Sequence, residues 1–145
     1  MASKPIYVLD SFALLSYLQG EVGMLRVQGI LEDANKERCR VFICIINLGE
    51  VVYIIEREQG LAKAHETLAA IQQLPIEIFP VENQTVLDAA HIKANHALSY
   101  ADAFAVVCAQ AMNGIVLTGD KEFASVEQAI SVEWLPGSKS KNENA

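Results

Sequence analysis

The chain has no excess of positive charge. Of its 145 residues, 11 are Lys or Arg and 18 are Asp or Glu, so the formal net charge is −7 at pH 7. A protein that coats nucleic acid without discrimination carries a basic patch or stripe, and this composition argues against one. It does not exclude a nuclease, because the metal site of a nuclease is itself acidic and its basic patch can be small.

Long apolar segments and paired cysteines are also missing. The longest uninterrupted apolar run, Ala103 to Ala109, is too short to span a bilayer. Asp10 interrupts the apolar stretch near the N-terminus and no small-residue cleavage pattern follows, so we expect no signal peptide. Cys39, Cys44 and Cys108 form no CxxC pair, and an odd count indicates free thiols in a reducing compartment. We therefore expect a cytoplasmic protein with no membrane segment.

Two common signatures of chemistry are absent. The three histidines do not form HExxH or a comparable spacing, so no zinc site is implied. No GxxxxGK[ST] segment is present, which excludes a P-loop nucleotide binder. The sequence therefore contains neither a zinc-hydrolase motif nor a P-loop from which its function could be predicted.

Short apolar runs alternate with stretches of helical periodicity along most of the sequence. The predicted strands are Ile6–Leu9, Val41–Ile46, Ile76–Phe79, Ile115–Leu117 and Val132–Leu135. The predicted helices begin near Ser11, at Met24, after an Asn47 cap, at Leu61, after an Asn83 cap and after a Ser99 cap, and residues 121–129 are irregular or helical. This alternation predicts one α/β domain over residues 1–135 with a mainly parallel sheet, followed by a flexible polar tail at 136–145.

Four acidic residues stand where a predicted strand or helix begins or ends: Asp10, Glu50, Asp102 and Asp120. The crevice beyond the carboxyl ends of parallel strands is the usual ligand site of an open α/β sheet. Carboxylates gathered there repel one another, whereas a hard divalent cation such as Mg²⁺ or Mn²⁺ prefers oxygen ligands. The pattern predicts that the four acids converge on a metal ion.

Each acid also has a plainer interpretation, and for a single residue the two stay open. Asp10 can be a helix N-cap, Asp102 a capping-box acid, Asp120 a turn residue and Glu50 a solvated helix residue. The combination, with all four at the ends of elements, favours the metal site.

The motifs that surround these acids resemble those of the PIN-domain family. They are Val8-Leu9-Asp10-Ser11, Asn47-Leu48-Gly49-Glu50, Leu98-Ser99-Tyr100-Ala101-Asp102-Ala103 and Leu117-Thr118-Gly119-Asp120-Lys121-Glu122-Phe123, in the family's order. Within that family the chain most resembles the small VapC-type toxins of prokaryotic toxin–antitoxin pairs. The likeness covers residues 5 to 135.

The resemblance implies a Rossmann-like three-layer sandwich and a Mg²⁺- or Mn²⁺-dependent ribonuclease activity. By resemblance, Asp10, Glu50 and Asp102 are the main metal-binding acids and Asp120 is the fourth, while Ser11, Asn47 and Thr118 are supporting polar residues. Phe12 departs from the pattern, since many relatives carry Ser or Asn there, and it puts substrate details in question. The resemblance further implies an RNA substrate, a cognate antitoxin and a homodimer. Met24 to Ala34 and Val51 to Ile55 are candidate interface segments, and core packing within one subunit explains the same residues.

Two other functions compete with this prediction. A phosphatase of the haloacid-dehalogenase type needs a second Asp two residues after the first, but position 12 is Phe. A catalytically inactive PIN-fold binding module is the stronger alternative. Such modules usually lose acids from the site, and this chain keeps all four.

Overall fold

A computed structural model describes residues 3–136 of the chain. The strands are β1 Ile6–Leu9, β2 Arg40–Cys44, β3 Glu77–Phe79, β4 Ile115–Thr118 and β5 Ser131–Trp134. The helices are α1 Ser11–Leu18, α2 Met24–Asn35, α3 Ile45–Gln59, α4 Leu61–Ile71, α5 Asn83–Asn95 and α6 Tyr100–Met112. A 3₁₀-helix, Lys121–Val126, connects β4 to β5. The predicted polar tail lies outside the described residues except for Pro136.

The strands form one sheet in the order β3-β2-β1-β4-β5, and every neighbouring pair is parallel. The predicted parallel sheet is therefore confirmed. From the central strand β1 the chain first extends the sheet on one side through β2 and β3, and later on the other side through β4 and β5. The order reverses between β1 and β4, and such a switch point opens a crevice at the carboxyl ends of the strands.

Helices cover both faces of the sheet, which gives three layers. Successive side chains of a strand point to opposite faces, and β1 illustrates this: Val8 packs in the cluster formed by α5, α6 and the 3₁₀-helix. Leu9 packs in the cluster formed by α1, α2, α3 and α4. Both residues have no exposed surface, so β1 is held from both sides and its end at Asp10 is fixed in place.

The start of α3 differs from the prediction. The strand β2 ends at Cys44 and α3 begins at Ile45, so the predicted strand was two residues too long. Asn47 is therefore not an N-cap but a fully buried residue inside the first turn of α3. The reason is that Ile45 and Ile46 are apolar yet exposed, and a short apolar run does not distinguish a strand from the first turn of a helix.

The other predicted caps have different outcomes. Glu82, not Asn83, caps α5, and its backbone N–H donates to the Thr85 hydroxyl to complete a capping box. Ser99 caps α6 as predicted, because its hydroxyl accepts the backbone N–H of Asp102 at 3.1 Å. The Ser99 cap fixes the third residue of α6, which is one of the four acids.

The apolar residues of the two candidate interface segments are largely core residues. Val27, Ile30 and Leu31 of α2 and Val51 and Ile55 of α3 are all buried within the single chain. A homodimer stays a prediction, and these side chains do not supply its surface. Among the described residues, none of the helices combines the length and apolar character that crossing a bilayer requires.

Candidate metal centre

The starts of three helices meet at the carboxyl edge of the sheet. Asp10 is the N-cap of α1 directly after β1, Asp102 lies in the first turn of α6, and Glu50 follows on the second turn of α3. The free N–H groups of a helix start carry partial positive charge and favour carboxylates within the first turn. This field offsets part of the repulsion between Asp10 and Asp102.

Asp10 is almost completely buried, with 1% of its surface exposed. One carboxylate oxygen accepts the backbone N–H of Ala13 at 2.8 Å, and the other accepts the hydroxyl of Thr118. Burial nevertheless raises the pKa of Asp10 to about 7, and the nearby charges of Asp120 and Glu50 add to the rise. The residue is thus both a helix cap and a member of an acidic group, so its role as a cap is compatible with the predicted metal-binding role.

Thr118 connects two of the four acids. Its hydroxyl oxygen accepts the backbone N–H of Asp120 at 2.9 Å, which leaves the hydroxyl proton to be donated to Asp10. A hydroxyl carries a single proton, so the contact with Asp120 fixes its direction. Thr118 is completely buried, and the resemblance to the family's motif is what singled it out in the sequence.

Glu50 is held by the second supporting hydroxyl. Ser11 donates to one of its carboxylate oxygens at 2.5 Å, across 39 positions of the sequence. Glu50 is half-buried, so it differs from the deeply buried Asp10. The contact links the start of α1 to α3 and orients the Glu50 side chain.

Asp102 has the strongest demand for a partner. Only 5% of its surface is exposed, and its Oδ2 atom is buried with no hydrogen-bond donor among the described residues. Burial raises the pKa of Asp102 to about 8, with further increases from the charges of Asp120 and Asp10. A buried polar atom without a partner is uncommon in folded proteins and calls for a proton, a water molecule or an ion.

Asn47 supports the segment that carries Asp102. Its amide nitrogen donates to the backbone oxygen of Ala101 at 3.0 Å, which ties the first turn of α3 to the start of α6. Its Oδ1 atom is buried and finds no donor in the part of the chain that the structure describes. Asn47 therefore lies beside the segment that carries Asp102, and it does not cap α3.

The tightest acidic group contains a residue that the sequence prediction did not select. Asp102, Asp120 and Glu122 each place one carboxylate oxygen within 4.8 Å of the other two. Asp10 and Glu50 lie outside this group, although the charge of Asp10 acts on Asp102 and that of Glu50 on Asp10. The sequence signal that could have identified Glu122 is its position two residues after Asp120. In the structure, Asp120 caps the 3₁₀-helix by accepting the Glu122 N–H at 2.9 Å, so both carboxylates project from the same turn.

Phe12 packs beside the site against Gly119. A methyl group built on Gly119 would lie 2.2 Å from Cε1 of Phe12, far inside contact distance. Gly119 separates Thr118 from Asp120, so the aromatic ring takes the space that a side chain would otherwise fill there. The bulk of Phe12 is therefore matched by the absence of a side chain at position 119.

Comparison with known proteins agrees with this architecture. The family model of the PIN domain matches residues 7–129, which is most of the chain. The chain belongs to the PIN-domain family. The match spans all four predicted acids of this PIN domain, and the resemblance seen in the sequence is confirmed.

Solved structures with the same fold include several toxin–antitoxin proteins. VapBC2 from Rickettsia felis, bound to a DNA fragment from its promoter, matches with a TM-score of 0.69 at 15% identity, covering 90% of this chain and 98% of that one. VapC20 from Mycobacterium tuberculosis, a toxin that cleaves the sarcin–ricin loop, matches with a TM-score of 0.68 at 15% identity, covering 83% and 94%. DNA-bound VapBC from Salmonella typhimurium matches with a TM-score of 0.69 at 16% identity, covering 89% and 97%. At these identities the likeness shows the fold alone. Among curated protein sequences, none matches this chain.

Proposed function

We propose that this PIN domain is a metal-dependent endoribonuclease and the toxin of a toxin–antitoxin pair. The observation that carries the proposal is the buried, unpartnered carboxylate oxygen of Asp102 within an acidic group at the switch point of the sheet. The folds of toxin structures, one of them described as cleaving the sarcin–ricin loop, support the choice of RNA as substrate.

The residues present fit a hard divalent cation. The donors are carboxylate oxygens, which Mg²⁺ and Mn²⁺ prefer, and the described residues around them offer no thiol or imidazole donor to the group. Asp10, Glu50, Asp102 and Asp120 are the proposed ligand set. When bound, the ion supplies Lewis acidity that lowers the pKa of a water molecule and offsets charge on a phosphodiester.

The chain's own residues prepare the site for this reaction. Thr118 and Ser11 donate hydroxyl hydrogen bonds that orient Asp10 and Glu50. Asn47 holds the backbone before Asp102 in place. Because these contacts are made by buried or half-buried groups of fixed elements, the carboxylates need little reorganisation when a cation and an RNA phosphate arrive.

The first prediction tests the activity with substitutions that keep shape and remove charge. Asp10→Asn, Glu50→Gln and Asp102→Asn should each lower cleavage of an RNA pool in Mn²⁺ or Mg²⁺ by at least about a hundredfold, since even outer contacts of a metal site can cost that much. Asp120→Asn should cost less if that residue acts through water. Cleavage is measured by gel, with circular dichroism to show that every variant is folded.

Glu58→Gln is the matched control, because it removes the same charge from the exposed far end of α3. It should cleave as the wild type does. Full activity in EDTA, or wild-type activity in all three variants, would contradict the proposal. A wild-type chain that binds Mn²⁺ but cuts no RNA would instead favour the inactive binding module.

The second prediction concerns the antitoxin. The site is acidic on a chain of net charge −7, so a basic segment is attracted to it. An arginine of that segment can pair with two carboxylates at once and compete with the cation. On α3, Ile46 and Tyr53 are exposed and lie four residues before and three after Glu50, so they share its helix face and can receive apolar side chains.

Binding of a cognate antitoxin, measured by calorimetry, should therefore weaken with added Mn²⁺ and in Glu50→Gln. Replacing the antitoxin's arginine should weaken it as well. An antitoxin that binds the metal-loaded chain as tightly as the metal-free chain, and is indifferent to Glu50, must act at another surface.

A further inference from the structure

Glu122 is an exposed residue whose side chain turns back toward the protein. Its Oε1 atom accepts the backbone N–H of Ser99 at 3.1 Å, across 23 positions of the sequence. Ser99 is the cap of α6, and Asp102 is in the first turn of that helix. The contact therefore holds the Glu122 carboxylate beside Asp102 instead of leaving it in solvent.

The surroundings of this carboxylate are unfavourable without a cation. Oxygen atoms of Asp102, Asp120 and Glu122 lie within 4.8 Å of one another, and like charges at such distances repel. The two backbone N–H groups donated to these carboxylates, from Ser99 to Glu122 and from Glu122 to Asp120, are a weak offset for three acids. The group is thus costly to assemble unless something positive occupies it.

A separate observation points to what occupies it. Oδ2 of Asp102 is buried, belongs to a residue with 5% exposure, and has no donor among residues 3–136. The other acids of the predicted set are already engaged: both oxygens of Asp10 accept hydrogen bonds, and Glu50 accepts one from Ser11. The oxygen without a partner belongs to Asp102, which is the buried member of the group that it forms with Asp120 and Glu122.

We propose that Glu122 is a ligand of a divalent cation together with Asp102 and Asp120. This inference rests on the proposed function, because the same site binds the ion, and it adds an acid that the four-residue set does not contain. The alternative is that Glu122 is only a structural clasp: its hydrogen bond with Ser99 would join the 3₁₀-helix to α6, and its carboxylate would bind no ion.

The substitution Glu122→Gln separates the two roles. Glutamine has nearly the same shape and its carbonyl oxygen can still accept the Ser99 N–H, but it has no negative charge. If Glu122 is only a clasp, Glu122→Gln should bind cations as the wild type does. If Glu122 is a ligand, affinity should fall although the fold is intact.

The experiment is titration of the full chain with MnCl₂ by calorimetry, for wild type, Glu122→Gln, Asp102→Asn and the distant control Glu58→Gln. We expect Glu122→Gln to weaken Mn²⁺ binding at least about tenfold, the lower end of the loss seen for outer contacts. Asp102→Asn should weaken it further, and Glu58→Gln should stay within about twofold of the wild type, the effect of a remote charge. Thermal melts in EDTA should show Glu122→Gln at least as stable as the wild type, because repulsion is relieved.

Three results would overturn the inference, and they differ in whether the proposed function also fails. If Glu122→Gln and Glu58→Gln bind Mn²⁺ equally well while the wild type cleaves RNA, Glu122 is a clasp and the proposed function stands. If the wild type neither binds Mn²⁺ nor cleaves RNA, both proposals are wrong. A Glu122→Gln chain that is clearly less stable in EDTA, with Mn²⁺ affinity unchanged, also assigns Glu122 to the fold.

Discussion

At the scale of single residues, the site shows why capping and chemistry need not be alternatives. Asp10 accepts the Ala13 N–H as any aspartate N-cap does, yet it is buried beside other acids and its pKa is raised to about 7. A cap for α1 alone could be made by Ser or Asn at no such cost. The use of a carboxylate at this position therefore calls for a reason outside helix formation, and the proposed cation would provide it.

A third prediction follows for Asp10. In the metal-free chain at pH 8, Asp10→Asn should raise the free energy of unfolding by at least about 1 kcal/mol, since each pKa unit corresponds to about that much. The amide oxygen of Asn still accepts the Ala13 N–H. Asp10→Ala loses this cap, so its free energy of unfolding should be about 1 kcal/mol lower than that of Asp10→Asn. Urea denaturation in EDTA measures both. A clear loss of stability in Asp10→Asn would make the carboxylate a structural group.

At the scale of elements, Phe12 and Gly119 couple α1 to the end of β4. The ring of Phe12 is half-buried in the cluster formed by α1 to α4, and it leaves no room for a side chain at position 119. Thr118 and Asp120 flank that glycine, so the packing of one aromatic ring helps to set the direction of two polar residues.

The fourth prediction is a double-mutant cycle on this pair. Gly119→Ala should destabilise the chain by about 1–3 kcal/mol, the usual cost of overpacking a filled space. In a Phe12→Ala background the same change should cost far less, because the ring carbon that the added methyl group would contact is absent. Gly29→Ala is the control, since no atom of residues 3–136 lies within 4 Å of its added methyl group and alanine favours the interior of α2. Equal costs in both backgrounds, read from urea denaturation, would show that the ring moves aside freely.

At the scale of the whole molecule, the buried acids tie stability to pH. The folded-state pKa values of Asp10 and Asp102 are raised to about 7 and about 8 from an ordinary value of 3.8. At pH values between 3.8 and these raised values, the Asp10 and Asp102 carboxyl groups of the folded chain hold protons that the same groups of the unfolded chain have released. The contribution of both residues to stability is therefore fully present below about pH 4 and is lost as pH rises through 7 and 8.

The fifth prediction is that the metal-free chain loses stability from pH 5 to pH 8, and that Mn²⁺ reverses the loss. A ligand that binds only the folded state adds about 2.7 kcal/mol at 100 times its dissociation constant. Thermal melts at both pH values, with EDTA or MnCl₂, measure the effect. The double variant Asp10→Asn, Asp102→Asn should show a flatter pH dependence and little response to Mn²⁺. A wild-type chain that becomes more stable toward pH 8 in EDTA would contradict the proposed charge state.

The interface of a homodimer would have to be formed by residues that are exposed in the single chain. The described chain leaves Val22 and Leu25 strongly exposed near the start of α2, and Tyr53 and Tyr100 half exposed near the acidic residues. These side chains belong to the exposed apolar surface, whereas the buried faces of α2 and α3 do not.

The sequence by itself determined the order of strands and helices, because apolar periodicity and cap residues are local signals. It also determined that acids stand at the ends of β1 and β4 and at the start of α6, from which their convergence was predicted. Boundaries within apolar runs were less certain, as Ile45 and Asn47 show. The catalytic roles of the four acids stay predictions.

Tertiary structure alone decided which groups share the site and in what state. Thr118 meets Asp10 across 108 positions, and Glu122 meets Ser99 across 23. Such contacts depend on how elements pack, which no local pattern records. The raised pKa of Asp102 and its unpartnered oxygen have the same origin, since burial is a property of the assembled layers. The sequence supplied the carboxylates, and the packing around them left a buried oxygen of Asp102 without a partner, which a cation can meet.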